Sequence, residues 1–255
     1  MTSRSDRERS AAPQIAPPRS VAGASGAPRP PAHVRGMFDR IAPTYDRANH
    51  ILSLSVDRYW RWRTVRLMRP LLSSPAPRVL DICCGTGDFA LALLGGLPGA
   101  RIAGADFSGA MLDRAREKSS ALSWLQADAM RLPYPDGSLD AIASAFGFRN
   151  LPDYRAALAE FHRCLRPGGV LAILEISRPV VPLLRQLYPF YFERVLPLLG
   201  GWISGQPSAY RYLPDSVSRF PSPPLLVAWM KDCGFTSARF HRFAGGIAAL
   251  HLAVK

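Results

Sequence analysis

The chain is poor in the residues that staple, ligate and anchor. Its four cysteines, Cys83, Cys84, Cys164 and Cys233, follow no repeated spacing. That excludes a disulfide framework and fits free thiols in a reducing compartment. The five histidines (His33, His50, His162, His241, His251) form no HxH or HExxH pair, and neighbouring cysteines on an extended segment point to opposite faces, so no metal site is expected. No stretch approaches the ~18 uninterrupted apolar residues of a spanning helix; the most apolar region, Val180 to Ser204, is broken by Arg185, Glu193 and Arg194. An apolar secretion core is also missing. Only three of the 32 basic residues are lysines, so the net charge of +13 is almost wholly arginine charge. A balance of this sign favours acidic partners or anionic membrane surfaces, which is not the same as binding nucleic acid.

What is present divides the chain unevenly. Residues 1–36 hold six prolines, six arginines and little that could form a core, and are expected to be a disordered tail. Their Arg- and Ser-rich content also fits a targeting segment, although Asp6, Glu8 and the prolines oppose a continuous amphipathic helix. Residues 37–255 form one domain of suitable length for a sizeable core. Within it, residues 37–72 have helical periodicity and cover one end. From Arg78 onward short β-rich runs (RVLDI, RIAGADF, SWLQAD, LDAIASAF, VLAILEIS) alternate with helical segments, the pattern of a parallel sheet with helices on its faces. An irregular, aromatic-rich, lid-like insertion over 178–221 follows, then a helix and a closing hairpin turning at Gly245-Gly246.

The run VLDICCGTGDFA, Val79 to Ala90, is a strand delivering the chain through a glycine turn into a helix. Gly85 and Gly87 let backbone approach a ligand where a side chain would collide. With Ala90 the spacing also satisfies the dinucleotide fingerprint, so this loop alone does not separate a nicotinamide cofactor from S-adenosylmethionine. Downstream acids lean toward the latter. Asp106 closes the second strand where a carboxylate accepts from ribose hydroxyls. Asp128 and Ala129 close the third, placed to read an adenine edge. Asp81 and Asp88 bring negative charge near the first loop, which suits an amino group and is poor for pyrophosphate.

At this point the sequence resembles the UbiE/MenG quinone C-methyltransferases. The resemblance rests on MFDRIAPTYDRANHILSLSVDRYWRW, DICCGTGD, LPYPDGSLDAI, FGFRN, RCLRPGG, LEISRP and AYRYLPDSV, found in that order. It implies a class I S-adenosylmethionine-dependent methyltransferase, α/β and Rossmann-like, with a seven-stranded sheet whose last strand is antiparallel. It also implies methyl transfer to a ring carbon of a polyprenylated quinol, in menaquinone or ubiquinone synthesis. Menaquinone is the first choice, the 2-methoxy-6-polyprenyl-1,4-benzoquinol methylase reaction the alternative, and a nucleic-acid methyltransferase the more distant one. The last lacks its expected Asn/Asp-Pro-Pro-aromatic pattern after the fourth strand. Family cofactor contacts carry over to Thr86, Asp106, Asp128 and Ala129. One does not: the family usually has Ser directly before Phe-Gly, where this chain has Ala145, with Ser144 one residue earlier on the other face of the strand.

An aromatic alcohol becomes a good carbon nucleophile as it loses its proton, and a neighbouring cation favours that loss. Arg149, with Asn150 at the carboxyl edge of the sheet, is the expected anion stabiliser. Tyr45 and Asp46 on the cover are expected to orient or accept the proton. Tyr210 and Arg211 are further candidates for substrate contact. The expected partners are a lipid-tailed quinol and, peripherally, the inner face of a membrane. Nucleic acid is not an expected partner, a homodimer is left open, and the setting is cytoplasmic.

Overall fold

The computed structural model describes residues 31–204 and 206–255; the expected tail, apart from its last residues, lies outside them. Three helices lead: α1 (Pro31–Ile41), α2 (Tyr45–Leu52) and α3 (Val56–Met68). The first already includes residues 31–36 of the stretch assigned to the tail, where a proline-rich composition concealed helix.

The α/β core follows as β1 (Arg78–Ile82), α4 (Asp88–Gly96), β2 (Arg101–Asp106), α5 (Gly109–Lys118), β3 (Ser123–Gln126), β4 (Leu139–Ala145), α6 (Tyr154–Cys164) and β5 (Leu165–Ile176). Then come α7 (Pro182–Phe190), a π turn, α8 (Leu196–Ser204), α9 (Pro207–Arg219), α10 (Pro223–Asp232), β6 (Ser237–Phe243) and β7 (Ala248–Val254). The sheet order is β3-β2-β1-β4-β5-β7-β6, with β7 antiparallel to both of its neighbours. Strand order reverses between β1 and β4, so their carboxyl ends open the crevice where ligands bind in sheets of this kind.

Apolar side chains fill both faces of the sheet. Leu80, Ile142, Leu171 and Ile173 pack with α6 and α10 on one side, while Val79, Ala143, Ala172 and Leu250 pack with α3 and α4 on the other. A third cluster joins the cover to the insertion through Met37, Ile41, Ala48, Phe192, Leu196 and Val217. The insertion is thus helical, where the sequence suggested irregular chain. Pro189 and Pro214 sit inside α7 and α9 and break the periodicity that would have announced those helices.

His251 is fully buried on β7, its Nδ1 3.3 Å from the Ile173 carbonyl oxygen. Burial pulls its pKa down from 6.5 to about 4, only partly offset by the carbonyls of Ile173 and Pro223. The folded state therefore holds this imidazole neutral while the unfolded chain protonates it, and stability that is whole above pH 6.5 is lost as pH falls toward 4. Urea titrations across that range are expected to show His251→Gln losing less stability than the natural protein, by up to about 3 kcal/mol.

Candidate functional site

At the crevice the chain makes two backbone departures that an ordinary residue resists. Cys83 and Phe146, at the ends of β1 and β4, have φ of 56° and 62°, strain of the kind held at functional sites. Gly147 packs directly on the first of them: a Cβ there would lie 2.4 Å from the Cys83 Cβ. Both Cys83 and Phe146 line a cavity of about 530 Å³, within the usual range for a small-molecule site. Its walls come from the glycine loop (Gly85, Thr86, Asp88), the ends of β2 and β3 (Asp106, Phe107, Asp128, Ala129), the β4 exit (Ala145, Phe146, Asn150) and the cover (Phe38, Tyr45, Arg61).

Three carboxylates follow the tips of three adjacent strands. Asp81 on β1 is wholly buried and neither oxygen has a hydrogen-bond partner. Burial raises its pKa well above the ordinary range, a shift that Arg61 opposes. Asp106 accepts from the Gly85 amide at 2.8 Å and the Ser108 amide at 2.9 Å; burial lifts its pKa to about 6 against those amides. Asp128, more open, accepts from the Met130 amide at 2.9 Å. Such a cavity suits a ligand with a cationic group near Asp81 and hydroxyl donors near Asp106.

The glycines divide their work. Gly85 lines the cavity with φ 54°, whereas Gly87 is not in its wall; with φ 86° it lies where a Cβ would meet the Trp124 ring at 2.5 Å. Gly87 is therefore required by its close approach to the Trp124 ring of β3. The thiols of Cys83 and Cys84 are free, and burial holds both well above their ordinary pKa, so they are protonated and unreactive.

Arg149 is buried but is not part of the cavity wall. Its Nη1 donates to Glu175 Oε2 at 3.0 Å and to the Phe146 carbonyl, and its amide donates to Glu175 Oε1 at 3.0 Å. Burial works against its charge, and Glu175 with nearby Tyr45 more than restores it. Its ion-pair partner is thus Glu175 of β5. Asn150 does line the cavity. Tyr45 lines it too, but burial raises its phenol pKa, making it a donor rather than a base. Asp46 is set away from the wall, 2.5 Å from Thr86 Oγ1 and 2.7 Å from Lys118 Nζ. Tyr210 and Arg211 fall on α9, their side chains outside the described ones.

Sequence reasoning missed Arg61, Lys118 and Glu175. For two of these a signal was available. Asp57 and Arg61 are an i,i+4 pair on the face of α3 that also carries Trp60, Thr64 and Met68, and Glu175 is a charged residue inside the apolar run VLAILEI of β5.

The likeness to solved structures matches this geometry. The fold is shared with an S-adenosylmethionine-dependent methyltransferase of Thermotoga maritima, described as a possible histamine N-methyltransferase. It has a TM-score of 0.62 and 21% identity, over 86% of this chain and 99% of that one. A phosphoethanolamine N-methyltransferase of Haemonchus contortus, solved with S-adenosylmethionine, gives a TM-score of 0.52 at 16% identity, covering 76% of this chain and 52% of that one. These two likenesses show the fold.

The profile of the ubiE/COQ5 methyltransferase family matches residues 29–255, and the chain belongs to that family. Among curated relatives, a demethylmenaquinone methyltransferase of Thermus thermophilus is 48% identical over 220 residues, 85% of this chain and 98% of that one. One of Deinococcus radiodurans is 46% identical over 221 residues, 85% and 90% of the two chains. One of Staphylococcus aureus is 37% identical over 226 residues, 87% and 92% of the two.

Proposed function

We propose that the protein methylates a ring carbon of a prenylated naphthoquinol, demethylmenaquinol, to give menaquinol, with S-adenosylmethionine as methyl donor. Three relatives of that name support the substrate. The observation that carries the cofactor is the unpartnered Asp81 carboxylate in a cavity it shares with Arg61, Asp106 and Asp128. In this reading Asp81 receives the ammonium of the methionine end and Arg61 its carboxylate. Asp106 accepts from the ribose hydroxyls, and Asp128 with the Ala129 backbone reads the adenine. When bound, the donor supplies an electrophilic methyl group on a sulfonium.

The chain's own task is to hold the acceptor carbon in line with that methyl and to favour the ionised ring hydroxyl. Arg149 is the cation for this, kept charged and oriented by Glu175, with Asn150 and the Tyr45 hydroxyl as positioning donors. An arginine does not release its proton, so the phenolic proton leaves through water. Tyr210 and Arg211, on α9 of the insertion, remain proposed contacts to the quinol.

The lipid tail needs an apolar route, and the insertion offers one. Among the described residues no helix is long and apolar enough to cross a membrane. Trp202, Leu198, Leu183, Phe190 and Leu187 are nevertheless all exposed, Trp202 to 86%. They adjoin an exposed corner of the cover carrying Leu54 and Tyr59, because the Tyr191 hydroxyl donates to the Leu52 carbonyl at 2.7 Å. The exposed charges on α2, α3 and this stretch, among the described residues, are Arg47, Arg58, Arg66, Arg185 and Arg194. An apolar face set among cations suits the surface of an anionic bilayer. On this reading the protein works from the cytoplasmic side, peripherally.

Dialysed protein given radiolabelled S-adenosylmethionine with demethylmenaquinol, a methoxy-benzoquinol or tRNA in parallel is expected to label the first; label on tRNA alone would refute the assignment. In the same assay Arg149→Met is expected to bind the cofactor normally by calorimetry and to turn over about a hundredfold more slowly or worse. Because only the ionised Asp106 accepts both ribose hydroxyls, cofactor affinity should rise with pH and level off above about 6. At pH 5 binding is expected to be about tenfold weaker than on that plateau, and Asp106→Asn to be weak at every pH. The doubly substituted Leu198→Glu, Trp202→Glu protein is expected to leave anionic vesicles and lose activity on long-tailed quinols while keeping it on a short-tailed analogue. A shift from dimer to monomer with vesicle binding intact would assign the same face to a second copy instead.

A further inference from the structure

Lys118, the last residue of α5, takes no part in the chemistry above, yet its ammonium donates to Asp88 and Thr86 and forms an ion pair with Asp46. Its Nζ lies 2.7 Å from Asp46 Oδ2, 2.5 Å from Asp88 Oδ1 and 3.0 Å from Thr86 Oγ1. Asp46 belongs to the cover helix α2, whereas Thr86 and Asp88 belong to the glycine loop and the first turn of α4. One cation therefore ties together three segments far apart in sequence. Asp46 also accepts from the Thr86 hydroxyl at 2.5 Å.

A second layer backs this tie. His50 on α2 stands between Asp57 and Asp88, with Nδ1 3.3 Å from the first and Nε2 3.6 Å from the second. Arg61 on α3 pairs with Asp57 and lies 3.8 Å from Asp88. The residues involved alternate with the cavity wall along the chain: Tyr45 precedes Asp46, and Arg61, Thr86 and Asp88 are themselves wall residues. Movement of α2 off the glycine loop would open the cavity beside them.

The charges decide what holds α2 down. Asp46 on the cover and Asp88 on the loop carry the same sign, and the Lys118 ammonium stands between them. With it the two segments attract; without it two carboxylates face one another and repel. The side chains are about a quarter exposed, 25% for Lys118, 31% for Asp46 and 24% for Asp88. Partial exposure keeps such a tie weak enough to release, as a cover over an exchanging ligand requires.

We propose that Lys118 is a positioning residue that clasps the N-terminal cover onto the glycine loop and thereby sets how long the adenosyl cofactor is retained. This rests on the reading of the cavity as the S-adenosylmethionine site. The test uses the full chain with Lys118→Met, Lys118→Arg, Asp46→Asn and the Lys118→Met, Asp46→Asn double variant. Binding and release of S-adenosylmethionine and S-adenosylhomocysteine are followed by calorimetry and stopped-flow fluorescence.

For Lys118→Met the cofactor dissociation constant and KM are expected to rise about tenfold, the equivalent of about 1.4 kcal/mol, through faster release. Its kcat at saturating cofactor and quinol is expected to stay unchanged. Lys118→Arg should restore most of the retention, Asp46→Asn should weaken it in the same direction, and the double variant should be no worse than Lys118→Met alone. Release at the natural rate from Lys118→Met, or a fall in kcat with cofactor KM unchanged, overturns the clasp. Additive losses in the double variant overturn it as well. Failure of the natural protein to bind S-adenosylmethionine would instead overturn the reading of the cavity.

Discussion

Burying a carboxylate with nothing to satisfy it is costly, and a fold tolerates it only where a ligand or neighbour offsets the cost. Asp81 is that residue here. It lies at the centre of the sheet, on the strand beside which the order reverses, and its pKa is driven well up by burial, with Arg61 as the largest opposing influence. The surrounding features follow from keeping it dry but reachable. The glycine turn brings backbone rather than side chains to the cavity. Asp106 is held by two amides so that it faces the same space, and the cover closes the side that would otherwise admit water.

Two helical elements meet at this end of the sheet. The N-terminal cover lies over the glycine loop, and the helical insertion lies over the exit of β4, where Arg149 pairs with Glu175. They meet through the buried cluster of Ile41, Ala48, Phe192 and Leu196 and through the Tyr191 bond to the Leu52 carbonyl. The insertion is therefore in contact with the cover whose Phe38 and Tyr45 line the cavity. The Arg149–Glu175 pair stands beneath both: removing either partner would leave a lone buried charge, which costs far more than the pair itself contributes. That arrangement fixes the position of the guanidinium.

The strands and their tips were legible because the signals are local. Runs such as VLAILEI leave little choice in a domain of alternating elements, and acids at successive strand ends mark the crevice by their position in the chain alone. The insertion was not legible because Pro189 and Pro214 sit inside helices, and only packing against the cover makes such helices stable. The helical character of residues 31–36 was hidden by the same residue type. Lys118, and its pairing with Asp46, were beyond reach for another reason. Their meaning comes from a contact between segments that nothing in the spacing connects, and a lone lysine at a helix end looks like an ordinary C-terminal cation.

The β4 exit shows how one residue of register governs the chemistry available. Ala145 lines the cavity, while Ser144 is fully buried with its hydroxyl lacking any partner. On a strand, adjacent side chains face opposite ways, so the hydroxyl that the family usually presents at the Ala145 position is not recovered by its neighbour. At that point the wall is apolar, Ala145 beside Phe146, with Asn150 as the polar side chain further along. Recognition must then rest more heavily on the carboxylates across the crevice. The close fit of Gly147 on Cys83 leaves no room to regain the lost group by moving the strand end. The burden thus returns to Asp81, Asp106 and the cover that shields them.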